Sequence, residues 1–375
     1  MKNRLCLLAA CLLSVATLCG ASTPRKVLTL DKGWGIKPIT NTVRKAKLDP
    51  VTLPHTWNAH YLPDTTTYNR EMMVYKRTLK VTPEMEGKRL FLYFEGANSA
   101  ADVFVNYQTA AHHLGGYTAF CTEITDYVKA GDNDLEVWVS NAFRSDVLPI
   151  SGDFNVYGGL HRPCHLIVTE QNCISPLFYA SPGVLVHQDR VTDDEARFTV
   201  ETRLSLKDMS KPVTVKTQVL DAEGKQVAAC ESNVNVPCDN VRQPLAIENP
   251  TLWDGVDNPY LYTVQVDLYQ DGKQLDQVVE KTGFRYFKAD PEKGFFLNGK
   301  PYDLHGFCRH EDIAGKGSAL TAEDYQTDLN LIKEIGATAV RLAHYPHAKP
   351  MYDMSDENGL ILWTEIPLVG PGGYG

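Results

Sequence analysis

The chain has 375 residues, 46 acidic against 37 basic side chains and a formal charge of −9. That length accommodates two or three domains, and an acidic balance without basic runs argues against a nucleic-acid partner. Nine cysteines in this length are too sparse for a disulfide scaffold, and the absence of CxxC spacing argues against metal or redox chemistry at the thiols.

Residues 1–21 read as a secretory leader. Lys2 and Arg4 form a basic start, Leu5 to Leu18 is almost wholly apolar, and Cys19-Gly20-Ala21 offers a small-x-small cleavage site. The apolar run is short for a membrane span. Leu8-Ala9-Ala10-Cys11 also resembles a lipoprotein box, although cleavage there would leave little apolar core before it, so both processing routes stay open. No later segment is long and apolar enough to span a bilayer. The expectation is an exported chain, periplasmic or extracellular. Six cysteines follow the leader (Cys121, Cys164, Cys173, Cys230, Cys238 and Cys308), and one disulfide after export stays open without a deduced pairing.

From about residue 25 to 285 apolar residues alternate with period two, the signature of half-buried strands. In RLFLYFEGA, Leu90, Leu92 and Phe94 share one face while Phe91 and Tyr93 take the other. DLEVWVSN repeats the pattern after Gly131, and the pairs Glu223-Gly224 and Asp271-Gly272 mark hairpin turns. So long a run of short strands predicts two β-sandwiches, with the seam near Asn172. The expected divisions are 22–172, 173–286 and 287–375.

Near Gly294 the character changes. FFLNGKPYDL predicts a hairpin about Asn298-Gly299, and the remainder alternates strand and helix. In TAEDYQTDLNLIKEIG, Thr321 and Asp324 form a capping-box start. Tyr325, Leu329, Ile332 and Ile335 make an apolar face, and Gly336 closes the helix. ATAVRLAH is a buried strand, AKPMYDMSDENG a shorter helix stopped at Gly359, and LILWTEIP another strand. This is the opening of a parallel β/α architecture, of which roughly 250 residues make a closed barrel.

Function on such a barrel sits at the C-terminal ends of the strands. Here those ends carry Arg309, His310 and Glu311, then Arg341 and His344, then Trp363 and Glu365. Charged, imidazole and aromatic groups on one rim suit a polyhydroxylated ligand, which needs many hydrogen bonds and a flat apolar surface. The bland alternative is that Arg309 and Glu311 form a rim ion pair and His344 satisfies a backbone carbonyl. No G-x-S-x-G, P-loop, G-x-G-x-x-G or H-E-x-x-H motif points elsewhere.

The chain resembles the N-terminal half of glycoside hydrolase family 2, the β-galactosidase and β-glucuronidase family. The resemblance rests on LPHTWN (53–58), GKRLFLYFEGANSAADVFVN, HLGGYTAF, SGDF (151–154), GGLHR (158–162), NPYLYTVQVDLY, GFRYF, FFLNGKPYDLHGFCRHED and AVRLAHYP, in that order. It implies a jelly-roll β-sandwich that binds sugar, an immunoglobulin-like β-sandwich, then the first three strands of a truncated TIM (β/α)8 barrel. It further implies that Asp153 reaches into the sugar subsite and that His310 and His344 line it. Arg309 and Glu365 complete the expected substrate-binding set. The resemblance implies no organic cofactor. In some β-galactosidases the residue at Glu365 holds magnesium, but Pro367 stands where those sites place a histidine, which argues against a metal. Ala343, Cys308 and the VNYQ turn after Val105 are further departures from the family pattern.

Retaining glycosidases need two carboxyl groups about 5–5.5 Å apart. In this family the acid/base and the nucleophile follow the fourth and seventh barrel strands, so no catalytic residue is expected before Gly375 and the chain alone is expected to be inactive. The reading is therefore the N-terminal part of an exported retaining β-glycosidase acting on a β-linked oligosaccharide or polysaccharide side chain. The β-galactosidase branch is favoured by HEDIAGKG, LAHYPHAKPMYD and LILWTEIPLVGPGGY. A β-glucuronidase, or a non-catalytic carbohydrate-binding remnant, is the alternative. A homo-oligomeric full-length form stays open.

Overall fold

A computed structural model describes residues 24–39, 47–59, 70–150, 152 and 154–369. The leader expected over residues 1–21 lies outside them. Among the described residues no helix is long and apolar enough to cross a membrane.

The first unit is a jelly-roll sandwich. Its larger sheet runs, from neighbour to neighbour, Asp49–Val51, Trp34–Pro38, Met72–Val81, Gly131–Ser140, Ala100–Val105 and Gln108–Leu114. The facing sheet runs Lys26–Thr29, Cys164–Thr169, Arg89–Phe94 and Phe120–Glu123. The period-two reading holds: Leu90, Leu92 and Phe94 enter the core with Tyr75, Leu79 and Val137. Phe91, on the other face, is also fully buried, because it packs with Ile167 and Cys173 at the seam to the next unit.

Asn172–Ile174 already pairs with Glu195–Leu206, so the chain enters the second sandwich there. Glu195–Leu206 also pairs with Val184–Val191 and Asn240–Glu248. The opposing sheet runs Gln226–Val234, Val213–Leu220, Tyr262–Gln270 and Lys273–Thr282. Asp271 and Gly272 both take positive φ in the last hairpin, as do Asn298 and Gly299 in the hairpin that follows. This is the backbone that Asn-Gly and Asp-Gly pairs favour. A buried ion pair ties the two sandwiches: Arg25 donates to Asp276 from Nε (2.9 Å) and Nη2 (2.6 Å), and the Ile174 amide donates to the same carboxylate at 2.8 Å.

The last unit is a three-stranded parallel sheet with two helices: β1 (Gly306–Arg309), α1 (Ala322–Glu334), β2 (Ala339–Leu342), α2 (Lys349–Asn358) and β3 (Ile361–Thr364). The sheet does not close among the described residues. The Thr321 amide donates to Asp324 Oδ2 at 2.8 Å, which starts α1 where the capping box places it. Tyr325, Leu329 and Ile332 are buried, but Ile335 is 65% exposed. The helix ends one residue before Ile335, which therefore leaves the helical stripe. Gly359 ends α2 at φ +76°, and a Cβ there would stand 2.1 Å from the Gly255 carbonyl oxygen, so this position needs glycine for two reasons.

Trp253 joins the second sandwich to α2. It is fully buried, its indole N–H donates to the Asp356 carbonyl at 2.8 Å, and a Cβ at Gly283 would stand 2.8 Å from its Cβ and 2.9 Å from its Cδ1. Trp253→Ala removes both the packing and the bridge. It is expected to lower unfolding stability by about 3–5 kcal/mol, read from the urea midpoint of the loosest transition.

Candidate functional site

The parallel sheet sets the geometry. In register, Arg309 lies beside Leu342 and Leu342 beside Thr364, so the three strands end level and deliver His310, His344 and Glu365 to one rim. The His310 and His344 rings meet edge to face with centroids 5.0 Å apart. Phe154, from the jelly-roll loop, closes over both at 5.6 Å and lies nearly parallel to His344. Tyr345 touches the same group and stacks on Tyr117 of the jelly roll at 4.0 Å. Two imidazoles, a phenyl ring and two phenols from two units thus form one aromatic cluster at the strand ends.

Glu365 is held from beneath by Arg341 of β2. Arg341 Nε donates to Oε1 at 2.7 Å and Nη2 to Oε2 at 3.1 Å, a fork-on-fork pair. Nη2 also donates to His344 Nδ1 at 3.2 Å. Partial burial opposes the charge on Glu365, but the Arg341 hydrogen bond and charge and the neighbouring His344 overturn it, holding the carboxyl below its ordinary range. With a guanidinium across both oxygens, this carboxylate does not fit a magnesium ion.

Arg309 is not brought to the rim. Its guanidinium turns into the unit, donating to Asp328 of α1 (Nε at 2.8 Å) and to His347 Nδ1 (3.0 Å) while lying over the Tyr325 ring. It is a buried scaffold group, which corrects its expected place among the sugar contacts: β1 still has its inward-turned side chain at position 309, and the rim begins one residue later. The rim ion pair with Glu311 does not form either. Glu311 instead meets Arg162 of the jelly roll, with Nη2 to Oε2 at 2.6 Å and both side chains almost fully buried. Tyr325 Oη (2.6 Å) and the Ala348 amide (2.7 Å) donate to the other oxygen. Arg162 also donates to the carbonyls of Tyr117 (2.9 Å) and Pro346 (2.7 Å). Burial alone would push the Glu311 carboxyl up, but the Arg162 charge, then His347 and the two hydrogen bonds, bring it down to about 2. Asp153 lies outside the described residues, although its neighbour Phe154 is at the rim.

Sequence reasoning missed Phe154 and Arg162 as contributors. Both stood inside quoted motifs, SGDF and GGLHR, yet neither residue type carries a local pattern that announces a partner 149 or more positions away.

Three family models match the chain in order: "Glycosyl hydrolases family 2, sugar binding domain" over residues 44–170, "Glycosyl hydrolases family 2" over 183–285 and "Glycosyl hydrolases family 2, TIM barrel domain" over 290–374. The chain belongs to glycosyl hydrolase family 2. Among its family 2 relatives, a protein of Bacteroides fragilis named beta-glucuronidase is 47% identical over 330 residues, covering 86% of this chain and 47% of its own length. A beta-galactosidase of Thermoanaerobacter pseudethanolicus is 30% identical over 86% of this chain and 43% of its own length. The crystal structure of a Bacteroides uniformis beta-glucuronidase superposes with a TM-score of 0.87 at 30% identity, over 93% of this chain and 44% of that one. The chain thus spans about half the length of the curated relatives it matches.

Two predictions follow from the buried groups of this family 2 rim. Arg162→Ala leaves Glu311 charged and unpaired in the interior, and should destabilise the chain by about 3–5 kcal/mol, measured by chemical unfolding; Arg162→Lys, which cannot reach three acceptors as a planar fork, should recover only part. Stability should also fall with acid in two stages. Burial holds His161 and His347 down to about 4 against 6.5 unfolded, so their contribution is lost as pH falls from about 6.5 to 4. Glu311, at about 2 against 4.5, loses its contribution between about pH 4.5 and 2. Thermal midpoints measured from pH 7 to 2 check both; Glu311→Gln should remove the lower stage and deepen the upper one, because the Glu311 charge partly raises both histidines.

Proposed function

We propose that this chain supplies the sugar-recognition part of an exported, retaining β-glycosidase acting on β-linked oligosaccharides or polysaccharide side chains, with β-glucuronides as its substrate class. The observation that carries the glycoside reading is the rim itself: His310, His344 and Phe154 converge from two units, giving hydrogen-bonding groups beside a flat apolar ring. In this reading the imidazoles bind sugar hydroxyls, Phe154 faces the apolar side of the pyranose, and Arg341 with Glu365 orients His344. The fold supports a lesser role in proton transfer for the carboxylates present. A glycosidase acid needs a raised pKa, whereas Glu311 and Glu365 are both ion-paired and held low.

The choice of glucuronide departs from the galactoside lean of the motifs. It is supported by the 47% identity to the Bacteroides fragilis beta-glucuronidase, against 30% to the Thermoanaerobacter beta-galactosidase. The galactoside remains the second reading, favoured by the loops HEDIAGKG and LAHYPHAKPMYD. Export rests on the leader-like residues 1–21.

The test is hydrolysis of p-nitrophenyl β-glucuronide and p-nitrophenyl β-galactoside by the protein expressed from its whole reading frame. Glucuronide should lead in kcat/KM by at least about tenfold, or ~1.4 kcal/mol; the reverse order moves the reading to galactosides. Turnover of neither, with sugar binding retained, would leave a non-catalytic carbohydrate-binding protein. His344→Ala is expected to weaken binding of the preferred glycoside by about 1–2 kcal/mol.

A further inference from the structure

A cleft of about 980 Å³ lies where all three units meet, apart from the rim. Its walls come from the jelly roll (Tyr93, Tyr117), the start of the second sandwich (Tyr179), the end of that sandwich (Glu280) and α2 (Lys349, Asp353). The Tyr117–Tyr345 stack stands between it and the histidines of the rim.

Tyr179 is the unusual group. It is 87% exposed, the largest exposure among the described large hydrophobic side chains. It also occupies a tight turn in which Tyr179 (φ +50°) and Ala180 (φ +51°) are both left-handed, closed by the Ser181 amide donating to the Phe178 carbonyl at 2.9 Å. Turns of this kind call for Asn, Asp or Gly. The other described pairs of successive left-handed residues, Asn106–Tyr107, Asp271–Gly272 and Asn298–Gly299, each have at least one. Tyr179–Ala180 has none. The turn is nonetheless held firmly, because the Arg203 guanidinium lies 3.8 Å over Phe178, whose ring in turn meets the edge of Tyr179 at 4.8 Å. A bulky ring is therefore fixed in a disfavoured backbone while burying little of itself. Local backbone preference does not account for that choice, which points to a role outside the turn.

We propose that this cleft is a second carbohydrate-binding site, taking a neutral glycan chain that stacks on Tyr179 and reaches the polar wall. The wall decides the ligand class. Glu280 is pushed up by burial and accepts no hydrogen bond among the described residues, while Lys349 and Asp353 pair nearby, so acceptors and donors alternate. Hydroxyl groups, which both donate and accept, satisfy such a wall. A polyanion would meet the carboxylates of Glu280 and Asp353, and an apolar peptide would leave them desolvated. The site does not depend on which glycoside the rim accepts.

The experiment is affinity electrophoresis of the 375-residue chain through gels containing β-1,4-galactan, arabinogalactan or xylan, with thermal midpoints and size-exclusion in parallel. At least one polysaccharide should retard the chain. Tyr179→Asn, which suits the left-handed turn, should lose roughly tenfold or more in affinity with a thermal midpoint equal to or above that of the wild type. Tyr179→Trp should keep binding, and His344→Ala, which removes only what the rim contributes, should still be retarded. The proposal is overturned if no gel retards the wild type, if Tyr179→Asn binds as the wild type does, or if its midpoint falls with its binding. It is equally overturned if His344→Ala abolishes retardation, which assigns binding to the rim. A wild-type dimer split by Tyr179→Asn would make the cleft a contact between copies instead.

Discussion

The Arg162–Glu311 pair is the interaction on which the arrangement of units depends. A guanidinium from the jelly roll and a carboxylate from the first barrel loop meet at 2.6 Å with almost no solvent contact. Two charges removed from water are tolerated only when their remaining hydrogen-bonding capacity is met. Here it is met from both sides: Tyr325 and the Ala348 amide serve the carboxylate, and the Tyr117 and Pro346 carbonyls serve the guanidinium. Because those partners belong to α1, α2's leading edge and the jelly roll, any sliding of one unit against another would strand a buried charge. Such a pair adds little net stability but penalises every alternative docking strongly, so it fixes relative position.

The rim inherits that precision. Tyr345 follows directly on His344, and its stack on Tyr117 holds the loop after β2 against the jelly roll. Phe154 then reaches the two histidines from the same side. The aromatic cluster is thereby shared between an all-β unit and the strand ends of a parallel sheet. Arg341 contributes differently, as an element of the sheet itself: it ties Glu365 just past β3 to His344 beyond β2, so the two adjacent strand ends behave as one polar surface. Ring contacts between units and the Arg341 hydrogen bond within the sheet both bear on the imidazoles.

The three-unit cleft follows from the same docking. Once the pair and the Trp253 bridge fix the barrel start against both sandwiches, the surfaces that do not touch leave a polar hollow among them. Tyr179 stands at this hollow in a backbone that its side chain does not favour, which is where local sequence preference and global structure disagree. Such disagreement marks positions chosen for something other than folding.

Much of this protein was legible in its sequence because the responsible forces are local. Period-two alternation placed the strands of both sandwiches, Asp271-Gly272 and Asn298-Gly299 placed hairpins, and Thr321 with Asp324 placed the start of α1, since each depends on backbone geometry within a few residues. The strand ends also announced His310, His344 and Glu365, because a parallel sheet must deliver those positions to one edge. What the sequence could not decide was which way charged groups at that edge would face. Arg309 turned inward to Asp328, Glu311 chose Arg162 over its near neighbour, and Phe154 joined the histidines, all through contacts made by segments far apart in the chain. Electrostatic pairing and ring stacking reward proximity in space, whatever the separation in sequence. Only the docked tertiary structure brings those partners together, so only it determines which polar residues form the scaffold and which remain available to a ligand.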